Sequence, residues 1–153
     1  MKIGILSDTH NFLDPKIEEL FKDVDHILHA GDVGMPWILL QLEQIAPVTA
    51  VLGNTDAGMQ LRDTEVCQLE QHTFLVQHIV NPLAPTESLR KRMAKIRPAA
   101  IVFGHTHKVF EQTLGGILFI NPGYAGKPRL SQPRTVAVLH TDTRSMHLEI
   151  LPL

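Results

Sequence analysis

The feature that most constrains the fold is a rhythm: short apolar runs, each too short for a helix, alternate with segments of helical spacing through the first third of the chain. Residues 2–7 form the first run, which ends in small and polar residues and passes into Asp8-Thr9-His10-Asn11. Asp14 before Pro15 predicts a helix start, with a capping carboxylate and a proline at the first helical position; Ile17, Leu20 and Phe21 supply its i, i+3, i+4 stripe. A second strand is expected over 25–29. A second helix is expected over 36–46, with Ile38, Leu42 and Ile45 on one face, and a third strand over 48–52 closes on Gly53-Asn54. Strands joined by crossover helices run parallel with right-handed connections, so this third reads as βαβαβ.

Further strands are expected over 65–69 and 73–77. Thr86 caps a helix over 86–96 that carries Leu89, Met93 and Ile96 on one face, and a buried strand follows over 99–103. Beyond residue 108 strands come close together, over 109–114, 117–120, 135–140 and 146–150, and Gly115-Gly116 is a two-residue hairpin signal. The C-terminal third is therefore mostly antiparallel. Residues 121–133, rich in Pro and Gly but flanked by strands, read as a structured loop. A chain of 153 residues is expected to form one domain, 1–153.

Composition removes several function classes. With 44% hydrophobic and 20% charged residues the chain can build an ordinary packed core. A net charge of −2 leaves no global basic field, so nucleic acid is an unlikely partner. No run approaches the roughly 20 apolar residues that span a bilayer, and the apolar run at 3–6 is too short for a leader; the expected compartment is the cytoplasm, with no membrane partner. Cys67 is the only cysteine, which excludes a disulfide framework and a multi-cysteine zinc module; it is expected in a buried or half-buried strand. The nine histidines are the oddity, because imidazole is the commonest nitrogen ligand for transition metals.

Placement makes them informative. Residues able to bind a metal recur directly after strands: Asp8 and His10, Asp32, Asn54, His78, and His105 with His107. The carboxyl ends of parallel strands converge on one crevice, so groups distant in sequence are expected to meet there. Asp8/His10 and His105/His107, two residues apart, are expected on extended backbone with both side chains pointing the same way. Glycines beside Asp32, Asn54 and His105 make room for close approach. The mixture of imidazole, carboxylate and amide is too nitrogen-rich for calcium or a simple magnesium site. Seven ligands exceed what one ion uses with a substrate position open, so two divalent metal ions are inferred, with Asp32, central in the ligand order, as the natural bridge.

In this order Asp8-Thr9-His10, Gly31-Asp32, Gly53-Asn54-Thr55-Asp56, His78 and Gly104-His105-Thr106-His107 resemble the calcineurin-like metallophosphoesterases, and most of all their small YfcE-like phosphodiesterases. The resemblance runs from residue 2 to about 129 and includes Asn121-Pro122-Gly123 and Pro128-Arg129. It implies an α/β fold of two facing β-sheets flanked by helices, a four-layer αββα sandwich. It also implies one ion on Asp8, His10, Asp32 and His107 and a second on Asp32, Asn54, His78 and His105. Mn is the first expectation, with Fe, Zn, Ni or Mg as alternatives. Asp32 and Asn54 would act in catalysis around a metal-bridging hydroxide that attacks a small phosphoester substrate.

Departures narrow the function. Where larger phosphatases of this superfamily carry a His that protonates the leaving group, this chain has Thr55, a poor general acid, so esters with low-pKa leaving groups are favoured; Asp56 is a weak substitute. Val33-Gly34-Met35-Pro36 replaces the Asp-Arg-Gly clamp of protein Ser/Thr phosphatases, and Ile79-Val80 follows His78 where the family has Gly and a second His. Asn11 and Thr55 are candidate substrate contacts, and His29 a candidate supporting partner of the ligands. Arg90, Lys91, Arg92, Lys95 and Arg97 read as a solvated helix face, and Trp37, Leu39 and Leu40 as burial or a homo-oligomer contact. Two alternatives accompany the hydrolase: a non-catalytic protein-interaction scaffold of the same fold, as in the similar retromer scaffold subunit, and a nuclease.

Overall fold

The computed structural model describes the whole chain, Met1–Leu153. Its elements in order are β1 (Lys2–Leu6), α1 (Lys16–Leu20), β2 (His26–His29), α2 (Pro36–Leu42), β3 (Val48–Ala50), β4 (Thr64–Leu69), β5 (His72–Gln77), α3 (Glu87–Ile96), β6 (Ala100–Val102), β7 (Val109–Leu114), β8 (Ile117–Pro122), β9 (Thr135–Thr141) and β10 (Met146–Pro152). One five-stranded sheet has the order β10-β9-β1-β2-β3, the other β4-β5-β6-β8-β7. Within them β1-β2-β3 and β5-β6-β8 are parallel, while the hairpins β7-β8, β9-β10 and β4-β5 and the β1-β9 pair are antiparallel.

The layers follow from the period of two along each strand. Ile3 and Ile5 of β1 face Phe74, Val76, Ala100, Val102 and Ile120 across the seam between the sheets. Leu6, Ile27, Val136 and Val138 point the other way, onto Ile17 of α1, Phe21 at its end, and Ile38 and Leu42 of α2. Leu75, Ile101 and Phe119 cover the outer face of the second sheet and receive Leu89, Met93 and Ile96 of α3. Helix, sheet, sheet, helix is the expected sandwich. Burying each of these aliphatic side chains stabilises the fold by roughly 1.5–3 kcal/mol, before the chain entropy it offsets.

Local signals explain most element ends. The Thr86 hydroxyl accepts the Leu89 N–H at 3.2 Å, and α3 ends on Arg97 in a left-handed conformation before Pro98. Gly115 and Gly116, both at positive φ, close the β7-β8 hairpin. At α1 the Asp14 carboxylate accepts the Lys16 N–H, and the helix counts five residues, beginning one residue after Pro15. Helix α2 is shorter than expected: beyond Leu42 the bonds tighten, Ile45 donating to the Leu42 carbonyl, and Pro47 ends the segment. Cys67 is half-buried in β4, where burial pushes its thiol up to about 11. No helix is long and apolar enough to cross a membrane.

Candidate metal centre

Five parallel strands deliver the site. Asp8, Asp32 and Asn54 lie beyond the carboxyl ends of β1, β2 and β3 in one sheet; His78 follows β5 and His105 follows β6 in the other. The site therefore straddles the seam between the sheets. Backbone bonds stitch the loops together: Asp8 donates to Gly31, His10 to Asp32, Asn11 to Val33, and Gly104 to His78. A Cβ on Gly53 would lie 2.1 Å from Asp32 Oδ1, and one on Gly104 would lie 1.9 Å from Ser7 Oγ and 2.7 Å from Asp8 Oδ2. Only glycine lets these loops touch.

Side chains from all these loops converge. Asp8 is completely buried; its Oδ1 lies 3.2 Å from His107 Nε2, 3.8 Å from His10 Nε2 and 4.0 Å from His78 Nε2. Asp32 Oδ2 lies 3.3 Å from His78 Nε2 and 3.7 Å from His10 Nε2. The Asn54 amide oxygen is 3.0 Å from both His78 Nε2 and His105 Nδ1. Asp8, His10 and His107 form one group of mutually close ligand atoms, and Asp8, Asp32 and His78 another. All seven residues singled out in the sequence as ligands thus come together.

The chemistry of this donor set fits cations. Asp8 Oδ1 and His10 Nε2 are buried without a hydrogen-bond partner, which is costly for polar atoms unless something else binds them. His78 points the same way. Its Nδ1–H donates to the Ala30 carbonyl at 2.7 Å, so in the neutral ring the Nε2 lone pair faces the Asp8 and Asp32 carboxylates, and acceptors repel unless a positive charge sits among them. Burial would raise the Asp32 pKa, but the Thr55 N–H and hydroxyl, with His78 and His10, outweigh it and hold the carboxyl below its usual range, ionised and ready for a cation.

One expectation fails in an instructive way. The Asp8/His10 and His105/His107 pairs do not lie on extended backbone: their φ values are 59°, 46°, 69° and 60°, and Asn11 and Asp32 are also left-handed at 64° and 52°. The loops turn through a conformation that non-glycine residues adopt at a cost; Asp8 and His10 come together, whereas His105 turns to Asn54 and His78 and His107 to Asp8 and His10. Asp56 is corrected too. It is buried, and its carboxylate accepts the backbone N–H groups of Val33, Gly34 and Gly53, so it clamps two ligand loops and is engaged as an acceptor, not as a proton donor.

Other residues support the ligands. His29 is fully buried; its Nδ1 accepts the Gly31 N–H, so its Nε2–H donates to Thr9 Oγ1, which in turn donates to the Val33 carbonyl. Burial lowers its pKa to about 4 and keeps the ring neutral. Tyr124 was not singled out in the sequence; its ring packs 4.7 Å from that of His107, with Arg129 on it at 5.0 Å. Its only signal was a place just after Asn121-Pro122-Gly123. Asn11 accepts a hydrogen bond from Trp37 Nε1, and Thr55 is exposed beside Asp32.

Comparison with known proteins places the chain in a family. The model of the calcineurin-like phosphoesterase superfamily domain matches residues 1–144. A probable metallophosphoesterase of Methanothermobacter thermautotrophicus is 35% identical over 159 aligned positions, covering 99% of this chain and 92% of the relative. A phosphodiesterase of Methanocaldococcus jannaschii is 27% identical over 165 positions, covering 94% and 95% of the two chains. Among solved structures, Entamoeba histolytica Vps29 complexed with zinc has a TM-score of 0.76 at 20% identity, covering 99% of both chains, a likeness in fold alone. With the family model matching residues 1–144 of the chain and a relative above 30% identity, this chain belongs to the calcineurin-like phosphoesterase superfamily.

Proposed function

We propose that the chain, as one domain, is a metal-dependent phosphodiesterase that hydrolyses phosphodiesters or small organic phosphates with good leaving groups. The observation that carries this reading is the convergence of two carboxylates and four imidazoles from separate loops around buried polar atoms that have no partner. Asp8, His10, Asp32 and His107 would hold one divalent cation, and Asp32, Asn54, His78 and His105 a second, with manganese the first choice. Such ions, when bound, supply an activated water near neutral pH and neutralise developing charge on phosphate.

The chain's own contributions are orientation and charge. Asp32 lies between the His10 and His78 nitrogens, so it is placed to serve both ions. The Ala30 carbonyl fixes the tautomer of His78, and the packed Tyr124 ring fixes the plane of His107. With Asp56 committed to three backbone N–H groups and Thr55 a poor acid, no proton donor stands ready for the leaving group. Asn11 and Thr55, at the rim, are the proposed substrate contacts. The test is Asp32→Ala assayed with Mn²⁺ on a nitrophenyl phosphodiester: turnover should vanish with the bound metal, and unchanged turnover would refute the reading.

A scaffold with the same fold is the second reading, favoured by the likeness to Vps29. Stoichiometric metal with no hydrolysis across a phosphoester panel would select it. A nuclease has less support. In α3 Lys91 pairs with Glu87 and Arg92 lines a cleft, so the basic residues do not act as one stripe. Met35, Trp37 and Leu40 are exposed on and beside α2, the surface on which a homo-oligomer would form.

A further inference from the structure

A cleft of about 510 Å³ opens directly off the Asn54–His78 side of the site. Its floor is Gly53, Asn54 and His78; its walls come from the start of β4 and the segment ahead of it, from Gln77 at the end of β5 and Ile79 beyond it, and from the first turns of α3. Only Leu52 and Ile79 among its lining residues are apolar. Arg92 is its one cation. Ser88 stands one helical turn earlier on the same helix face, and the Thr86 hydroxyl, which accepts the Leu89 N–H, keeps its own proton free to donate.

The Arg92 side chain makes no ion pair and no hydrogen bond within the chain, in contrast to Lys91 beside it, which pairs with Glu87 at 3.3 Å. The sole carboxylate on the lining, Asp63, stays unpaired with it. A guanidinium without a counter-ion, in a polar cleft that shares its floor with the metal site, is placed to receive an anion attached to a substrate whose phosphorus sits at that site.

We infer that this cleft is a leaving-group subsite, and that Arg92 selects phosphoesters whose leaving group carries a second anionic group, a carboxylate or a further phosphate. The inference rests on the hydrolase reading, which supplies the position of the phosphorus. Its chemistry is recognition only: the ester P–O bond breaks as proposed above, and Arg92 holds the departing fragment by charge-assisted hydrogen bonds. Because Arg92 is exposed, its effect is modest, about fivefold in KM, and is weakened by salt.

The test compares two chromogenic diesters, methyl 4-nitrophenyl phosphate and its 3-carboxylated analogue, with Mn²⁺-loaded wild type, Arg92→Ala and Arg92→Lys. Arg92→Ala should raise KM about fivefold for the carboxylated diester alone and leave kcat in place, and Arg92→Lys should recover part of the loss. Equal changes for both diesters, or none for either, overturn the inference. A second arm needs no turnover: NMR titration with 5-hydroxy-2-nitrobenzoate, the carboxylated leaving group by itself. Amide shifts confined to the cleft and lost in Arg92→Ala uphold the subsite; no binding, or equal binding by both proteins, overturns it. If wild type hydrolyses neither diester yet binds the nitrobenzoate through Arg92, the hydrolase reading has failed and the anion site stands.

Discussion

At the Asp8 end of the site a fully buried carboxylate oxygen and the His10 nitrogen have no hydrogen-bond partner, whereas at the Asn54 end the amide and the His105 ring are exposed and lie in contact with each other. Imidazole thus sits in two environments, beside a buried carboxylate at one end and beside an exposed amide at the other. An unsatisfied buried polar group costs roughly 1–3 kcal/mol, so the Asp8 end is built against the interest of the empty chain, and a cation there relieves it. The exposed end is near neutral: water and internal hydrogen bonds satisfy its groups, and a cation gains less by displacing them. The two ends are therefore expected to differ in affinity, the buried one tighter.

The largest expected effect separates the ends directly. Asp8→Asn should lower Mn²⁺-dependent hydrolysis about a thousandfold, and Asn54→Ala about tenfold. In the metal-free protein the order reverses: Asp8→Asn should raise the melting temperature by removing a buried carboxylate that has one oxygen without a hydrogen bond, and Asn54→Ala should leave it unchanged. Equal losses of activity, with no gain in stability for Asp8→Asn, would erase the difference between the ends.

Next in size is the packing beneath Asp8. Gly104→Ala forces a methyl group against Ser7 Oγ and Asp8 Oδ2, and should cost about 3 kcal/mol in urea denaturation while loosening the buried cation. A variant of normal stability would show that the loop can shift and that the buried end is less rigid than its contacts indicate.

The smallest effect concerns the support behind Thr9, between Asp8 and His10. His29 has its pKa lowered from the ordinary 6.5 to about 4, mainly by burial, so its neutral form is the one the fold stabilises. That contribution is complete above pH 6.5 and is lost as pH falls towards 4; at pH 5 the loss is about 2 kcal/mol. Denaturation at pH 7 and pH 5 should show a steeper decline for the wild type than for His29→Gln. Parallel slopes would place the acid sensitivity elsewhere.

Much of this was legible in the sequence, and for identifiable reasons. Alternating apolar runs placed the parallel strands, and ligand-type residues at five strand ends anticipated the convergence, because strand direction alone decides where those ends meet. The left-handed backbone at Asp8, His10, His105 and His107 was not legible: Asp and His enter that region more readily than most non-glycine residues, but too seldom to predict it, and it is imposed by loops bonded to one another. The role of Asp56 was misread for a related reason. Its neighbours Asn54 and Thr55 suggested chemistry, while the three N–H groups it binds come from residues 33, 34 and 53, two of them on a loop some twenty positions away. Tyr124 became visible only once the sheets were laid face to face, and Arg92, which the sequence offered as part of a solvated helix face, lines a cleft instead.

Because Asp8, Asp32 and Asn54 hang from one sheet and His78, His105 and His107 from the other, any ion held among them also rivets the two halves of the sandwich. Prying the layers apart would then mean tearing ligands off metal, so resistance to unfolding rises with the ion's concentration above its dissociation constant. Cofactor loading and mechanical cohesion are one property in this molecule.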